Sequence, residues 1–454
     1  MSNVVFSVIT PTHKPKYLMD AYKSLLAQED ATWEWIIIVN GDAKVDDVHP
    51  EIMGDSRNSV YHIDEIDTLP DMDNKDGNIG YLKHAAATLG VSDYILELDH
   101  DDMLSPDAMS RMKTVIDLHS PDFIYSDFVE FFESGFTNVY DKTSGWESYK
   151  HSFVYWDHTS RKEPTEKYVA GMAMKAFDIN PASLSRIEFA PNHVRVWKRS
   201  FYNNIGGHNI TLPVADDYDL VCRTFVEGGA IAYINAPLYR YRITGENTVS
   251  TRNDEIQNAQ LHVGNYYRDR IIQEWCKRNR LRMIDLGGAH NSPEGYQSVD
   301  YQDADHNCDI AEGLPFPDNS IGCVRAVDFL EHIPKCRNSG CKHEKGECAI
   351  AVMKEIYRVL VPNGVLWSNT PSTDGRGAWQ DLTHLSGWND NSFWYFTQDT
   401  HRKYYRNMDA KFKALQVYTS APNKYCVDNK ILYVKAILVA VKPEEIVAGT
   451  LNEH

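Results

Sequence analysis

An apolar strand, Tyr94 to Leu98, passes without a break into Asp99-His100-Asp101-Asp102. In an open parallel sheet, ligands bind outside the carboxyl ends of the strands. Carboxylates packed at such an end repel one another. A hard cation such as Mn2+ or Mg2+ relieves that repulsion while gripping a diphosphate. A solvated acidic turn is spelled with the same residues, so the reading needs support from elsewhere in the chain.

The flanking pattern supplies the sheet. Val4 to Thr10 is an apolar, β-branched run ending at Pro11, and Asp20 to Gln28 reads as a helix. Trp35 to Val39 is a second strand, closed by the turn Asn40-Gly41-Asp42. Val60 to Ile66 alternates like a third, and Ile79 to Leu89 reads as a helix. Ser105-Pro106-Asp107 supplies an N-cap, a proline at the first helical position and an acidic first turn for a helix to about His119. Phe123 to Phe132 is a further strand. This alternation predicts an α/β fold with a mainly parallel sheet and helices on both faces. Residues 133–190 read as an irregular insertion.

The chain has 454 residues, too many for one ordinary core. Asn253 to Arg280 reads as a helical connector, and a second α/β pattern starts at Leu281. The expected organisation is a first domain over 1–250, a connector over 251–280 and a second domain over 281–454. A formal net charge of −18 argues against nucleic acid and bare anionic membrane as partners. An anionic nucleotide can then bind only through a divalent cation or local basic groups. No apolar run approaches the ~20 residues of a membrane span. The start of the chain enters a strand directly and lacks a signal-peptide pattern. The eight cysteines are sparse and unevenly spaced, as reduced thiols are. A cytoplasmic location is the expectation.

A second acidic group, Asp216-Asp217-Tyr218-Asp219, follows Gly206-Gly207 and precedes the apolar stretch Leu220 to Phe225. Group transfer with inversion needs a carboxylate to take a proton from the acceptor hydroxyl. One acidic group for a metal and another for a base is the minimal constellation; helix N-capping is the plainer role for either aspartate. Ser7-Val8-Ile9-Thr10-Pro11-Thr12, Trp35 to Val39, Asp99-His100-Asp101-Asp102, Gly206-Gly207 and Ala215-Asp216-Asp217-Tyr218-Asp219-Leu220, in that order, resemble glycosyltransferase family 2, whose members have the GT-A fold and invert. The resemblance spans about residues 4–250. It implies a nucleotide-sugar donor and a glycan or glycoconjugate acceptor. It implies that Thr10, Pro11 and Thr12 line the nucleotide pocket, that Asn40 and Asp42 meet the base or ribose, and that Lys83 lies near the donor. It further implies that Asp99 and Asp101 serve donor and metal, and that Asp217, with Asp216 next in line, is the general base. Arg240 to Asn247 is similar to the family's closing segment, which puts Arg242 at the donor. Thr244 stands where many members carry a metal-binding histidine. The insertion's Trp146, Tyr149, Tyr155, Trp156 and Tyr168 either stack on sugar rings or pack locally.

In the second half, Ile284-Asp285-Leu286 is a strand ending in Gly287-Gly288, a turn that lets a cofactor approach the backbone. Asp300 ends the next strand, where a carboxylate can accept hydrogen bonds from ribose hydroxyls. Asp309-Ile310, Leu314 to Ser320, Phe329-Leu330-Glu331-His332-Ile333 and Arg358 to Gly364 follow. The succession, over about 281–442, resembles class I S-adenosylmethionine-dependent methyltransferases, which are Rossmann-like. Gly287-Gly288-Ala289-His290 replaces their usual G-x-G-x-G loop. The resemblance implies a cofactor pocket of Asp285, Gly287, Gly288, Asp300 and Asp309, with His332 or His384 deprotonating an acceptor hydroxyl. Cys336, Cys341, His343 and Cys348 are four soft donors within one insertion; they either hold a structural Zn2+ or are free thiols in a polar loop. The joint expectation is a glycan-building enzyme that adds a sugar and O-methylates one. The rivals are a glycosyltransferase with a non-catalytic second module, and a nucleotidyltransferase.

Overall fold

A computed structural model describes residues 5–29, 31–67, 69–70, 72–139, 146–158, 164–334, 348–405 and 408–443. The chain divides into two compact units. The first holds 5–179 and 183–271, and the second holds 272–443 with 180–182. The division falls inside the 26-residue helix Asn253–Arg278. Among the described residues no helix is long and apolar enough to cross a membrane.

The strands of the first unit are β1 Phe6–Thr12, β2 Trp33–Val39, β3 Asn58–His62, β4 Tyr94–Glu97, β5 Met103–Leu104, β6 Phe123–Phe132, β7 Ser148–Asp157, β8 Thr165–Met174, β9 Arg195–Lys198 and β10 Ile231–Ile243. The main sheet runs β3-β2-β1-β4-β9-β6-β10-β5. Its first four strands are parallel, as expected, with β1 between β2 and β4. The short β9 then runs against both β4 and β6. Helices Leu18–Leu26 and Ile79–Leu89 return the chain between the parallel strands. The interior is β-branched and aromatic, with Val8, Ile37, Ile38, Trp35 and Trp197 removed from solvent.

Residues 133–190 are not irregular throughout. β7 and β8 pair antiparallel over ten positions, from Ser148↔Met174 to Asp157↔Thr165. Alternate residues of this ribbon, Phe153, Tyr155 and Ala173, pack with Met103, Val129 and Phe131. Trp146 is buried too, whereas Tyr168 is largely exposed. Tyr149 donates from its hydroxyl to Asp127 at 2.6 Å, and Tyr233 of β10 donates to the same carboxylate at 2.6 Å. Most of the insertion's aromatics are therefore packing groups.

The second unit contains β11 Arg282–Leu286, β12 Gln297–Asp300, β13 His306–Asn307, β14 Ile321–Val327, β15 Leu360–Pro371, β16 Phe412–Ser420 and β17 Tyr433–Ala440. The order is β13-β12-β11-β14-β15-β17-β16, with β17 antiparallel to both neighbours and the first five strands parallel. The first five strands thus lie in the 3-2-1-4-5 order of a doubly wound fold. Helices Cys348–Val359 and Asp390–Thr397 contribute Val352, Ile356, Phe393 and Phe396 to one core with Ile284, Val324 and Leu438. Between β11 and β12 the chain makes only a 3-10 turn, Ala289–Asn291.

Candidate functional site

In the first unit, chain direction places the carboxyl ends of β1, β2 and β4 side by side. Thr12 and Asn40 meet there, the Asn40 N–H donating to the Thr12 carbonyl at 3.0 Å. Leu98 continues β4 and donates from its N–H to the Ile9 carbonyl at 3.2 Å, so Asp99 leaves the sheet beside β1. Its own N–H donates to the Tyr239 hydroxyl at 3.0 Å. This is the crevice at which strand order reverses about β1.

A network missed by sequence reasoning underlies this edge. Glu97, the last residue of β4, is 3 % exposed. It pairs across the antiparallel register with Arg195 of β9. Its carboxylate accepts from Arg195 Nη2 at 2.9 Å, Lys83 Nζ at 2.7 Å and His208 Nε2 at 2.8 Å. Burial pushes this carboxyl up, but Arg195 and Lys83 together hold it well below the usual carboxylate range. The visible signal was a charged residue in an otherwise apolar strand. Arg195 and His208 carried no comparable local signal.

The same cations reach both acidic motifs. Arg195 Nη1 meets Asp217 Oδ2 at 2.7 Å. Burial disfavours the Lys83 charge, yet Glu97, Asp216 and Asp99 jointly hold its pKa above the ordinary value. Arg195 likewise feels Glu97, Asp217 and Asp99, against burial. Asp99 and the Asp216–Asp217 pair therefore share one electrostatic neighbourhood.

Asp216 and Asp217 open the helix Asp216–Val226, and neither caps it; the preceding Ala215 is left-handed, at φ 58°. Asp216 is 2 % exposed, and its Oδ2 accepts no hydrogen bond from a described residue. Burial pushes its carboxyl up to about 7 against the pull of Lys83. Asp217 is partly open to solvent and accepts the Tyr218 N–H at 2.7 Å. Of the two aspartates it is the one that solvent reaches.

Asp101 and Asp102 are buried. Burial raises both carboxyls, and Asp99 adds repulsion to each. Asp102 Oδ1 accepts the Arg242 backbone N–H at 2.7 Å. Asp101 receives only a long contact, 3.4 Å, from Asn247 Nδ2. Buried oxygen donors with excess negative charge fit a hard divalent cation, which Asp99 and Asp101 could hold. Thr244 contributes to a local turn instead, its N–H donating to Asn247 Oδ1 at 2.8 Å.

Several expected donor contacts fall elsewhere. Arg242 has no exposed surface, and its Nη2 donates to Asp20 Oδ2 at 2.5 Å. The guanidinium also lies over the Tyr17 and Phe131 rings, at 4.6 and 5.0 Å. It is a buried structural cation, and its closed surroundings remove it from donor contact. The Lys83 ammonium is likewise committed to Glu97. The Thr10 hydroxyl donates to the Leu98 carbonyl at 2.6 Å and accepts from Trp35 Nε1 at 2.8 Å, so it serves the sheet. Asn40 Nδ2 donates to the Asp76 carbonyl at 2.6 Å. Pro11 is half-buried, Thr12 buried and Asp42 exposed.

In the second unit, Asp285 is fully buried, with Arg325 Nη1 at 2.7 Å and the Ser292 hydroxyl donating at 2.9 Å. It fixes the turn after β11, which leaves it no free edge for a ligand. Gly287 is left-handed, at φ +75°, and a Cβ there would come 2.7 Å from the Phe329 ring. A Cβ on Gly288 would lie 2.2 Å from Asp285 Oδ2. Both glycines are thus required by local packing. Asp300 ends β12, and Asp309 caps a 3-10 turn by accepting the Ala311 N–H at 3.1 Å. His332 and His384 come together, ring centroids 5.0 Å apart. Of the four expected zinc donors, Cys336, Cys341 and His343 lie outside the described residues. Cys348 is buried in the apolar core.

No family model matches the chain. A curated relative, the uncharacterized protein y4gI of Sinorhizobium fredii (strain NBRC 101917 / NGR234), is 30% identical over 135 residues, which are 29% of this chain and 14% of that protein. The chain therefore spans a small part of that relative. Among solved structures, S. aureus TarS 1-349 in complex with UDP is similar at a TM-score of 0.39 and 13% identity, over 60% of this chain and 70% of that one. The same protein in complex with UDP-GlcNAc gives 0.40 and 12%, over 60% and 73%. Likeness at this level assigns no function.

Proposed function

We propose that the first unit is an inverting glycosyltransferase that takes a sugar from a nucleotide-sugar and passes it to a glycan or glycoconjugate hydroxyl. One observation carries the reading: Arg195 bridges Glu97, the last residue of β4 and two positions before Asp99, at 2.9 Å and Asp217 at 2.7 Å. Two acidic groups far apart in sequence thus flank one place. Asp99 and Asp101 would hold a Mn2+ or Mg2+ ion, which would supply positive charge against the leaving diphosphate. Asp217, oriented by Arg195, takes the acceptor proton. Glu97 fixes the two cations, and His208 supports Glu97 at 2.8 Å. Product analysis of the purified chain with a panel of nucleotide-sugars, with and without Mn2+, tests this. Released nucleoside diphosphate with sugar on the acceptor is the expected result. Pyrophosphate release instead would make the unit a nucleotidyltransferase.

For the second unit, the reading is S-adenosylmethionine-dependent O-methylation of a sugar. The doubly wound strand order, the Gly287 turn after β11 and Asp300 at the end of β12 support it. Transfer of a labelled methyl group to the glycosylated product is the test. Binding of S-adenosylmethionine without transfer would reduce the unit to a binding module.

A further inference from the structure

We infer that Glu331, His332 and His384 form a binding site for a divalent first-row transition ion in the second unit. One ligand atom from each of the three lies within 4.8 Å of the other two. Glu331 is 1 % exposed, and neither of its carboxylate oxygens accepts a hydrogen bond from another described residue. A buried, unpartnered carboxylate beside two imidazoles is costly unless a proton or a bound cation neutralises it.

The imidazoles are set for that task. His332 Nδ1 lies 3.3 Å from the Thr383 carbonyl, and His384 Nδ1 lies 3.1 Å from the Ala378 carbonyl. A carbonyl only accepts, and the Thr383 hydroxyl, 3.2 Å from His332 Nδ1, gives its own proton to Asp381, so each Nδ1 faces acceptors and carries the proton, with the lone pair on Nε2. Metal-ligating histidines are oriented in this way, by donating the other ring N–H to a carbonyl or carboxylate. Asp381 Oδ2 lies 3.9 Å from His384 Nε2, and the other Asp381 oxygen is held by Thr383. The segments are braced together, since the Leu385 and Ser386 N–H groups donate to the Glu331 carbonyl at 2.7 and 3.0 Å.

Two imidazoles and one carboxylate suit Zn2+, Fe2+ or Mn2+ better than Mg2+ or Ca2+, which prefer all-oxygen shells. Three protein ligands leave coordination positions open. An ion held there would lower the pKa of a bound water or hydroxyl. The site stands independently of sugar or methyl transfer.

The test uses the full chain carrying Cys336→Ser and Cys341→Ser, which removes two of its eight thiols, those close in sequence to the site. Stripped with chelator and dialysed against micromolar ZnCl2, it should retain zinc that Glu331→Gln and His384→Gln each weaken by more than the ~10–100-fold that loss of an outer-shell partner costs. Retention unchanged in the Glu331→Gln, His384→Gln double variant overturns the proposal, as does no retained zinc in the folded parent. Should the variants not fold, the parent's Co2+ spectrum decides. Intense low-symmetry d–d bands without thiolate charge transfer support the site; a weak aquo-like spectrum sinks it.

Discussion

At the scale of single residues, Glu97 decides more than either motif that flags it. It balances Arg195 and Lys83 in a place with almost no solvent. Breaking a buried pair by removing one partner costs ~3–5 kcal/mol, because a charge is left uncompensated. Glu97→Gln should therefore lower stability by about that amount in urea unfolding, with donor binding lost alongside. Asp216 works in the opposite sense. Its folded pKa, about 7, lies above the value of an unfolded aspartate. Its contribution is therefore fully present at low pH and lost as pH rises through 7. Asp216→Asn removes that loss, so the variant's melting advantage over the parent should be larger at pH 8 than at pH 4; equal gaps at both would refute the buried assignment. For Asp217→Asn the expected loss is ~10²–10⁴-fold in turnover with nucleotide-sugar binding kept, since only the proton acceptor is gone. Steady-state kinetics beside calorimetry separates the two effects.

At the scale of elements, closeness between helices matters as much as charge. The helix Ile79–Leu89 starts against the loop that leads to Asp216. Ile79 N–H donates to the Pro213 carbonyl at 3.2 Å, and Asn78 Nδ2 donates to the Ile210 carbonyl at 2.6 Å. A Cβ on Gly80 would lie 2.5 Å from the Asn209 carbonyl oxygen and 2.8 Å from that of Leu212. Gly80→Ala should thus cost ~1–3 kcal/mol in thermal unfolding and push Lys83 away from Glu97. The parallel strands and Ile79–Leu89 were legible because long apolar runs and clean caps specify them locally. β9 was not, since Arg195-Val196-Trp197-Lys198 is four residues with a charge at each end, and only pairing with β4 and β6 makes it a strand. β10 was hidden by Pro237, where its register against β6 shifts. The acidic motifs could be read, but the cations that bind them together come from elements whose sequences look ordinary.

At the scale of the whole molecule, each unit has its own apolar interior, so each should melt as a cooperative body. Phe393 is fully buried in the second core. Phe393→Ala should cost that unit ~3–5 kcal/mol and move one calorimetric transition while the other holds still. Two transitions shifting together would show a single cooperative block. The short 3-10 turn after β11 carries a consequence of its own. Pyrophosphate carriers are received by a ladder of free amides at the positive end of a long helix. With Ala289–Asn291 in its place, that welcome for double negative charge is missing, so redox dinucleotides are poor guests here. A cofactor without a diphosphate does not depend on that ladder.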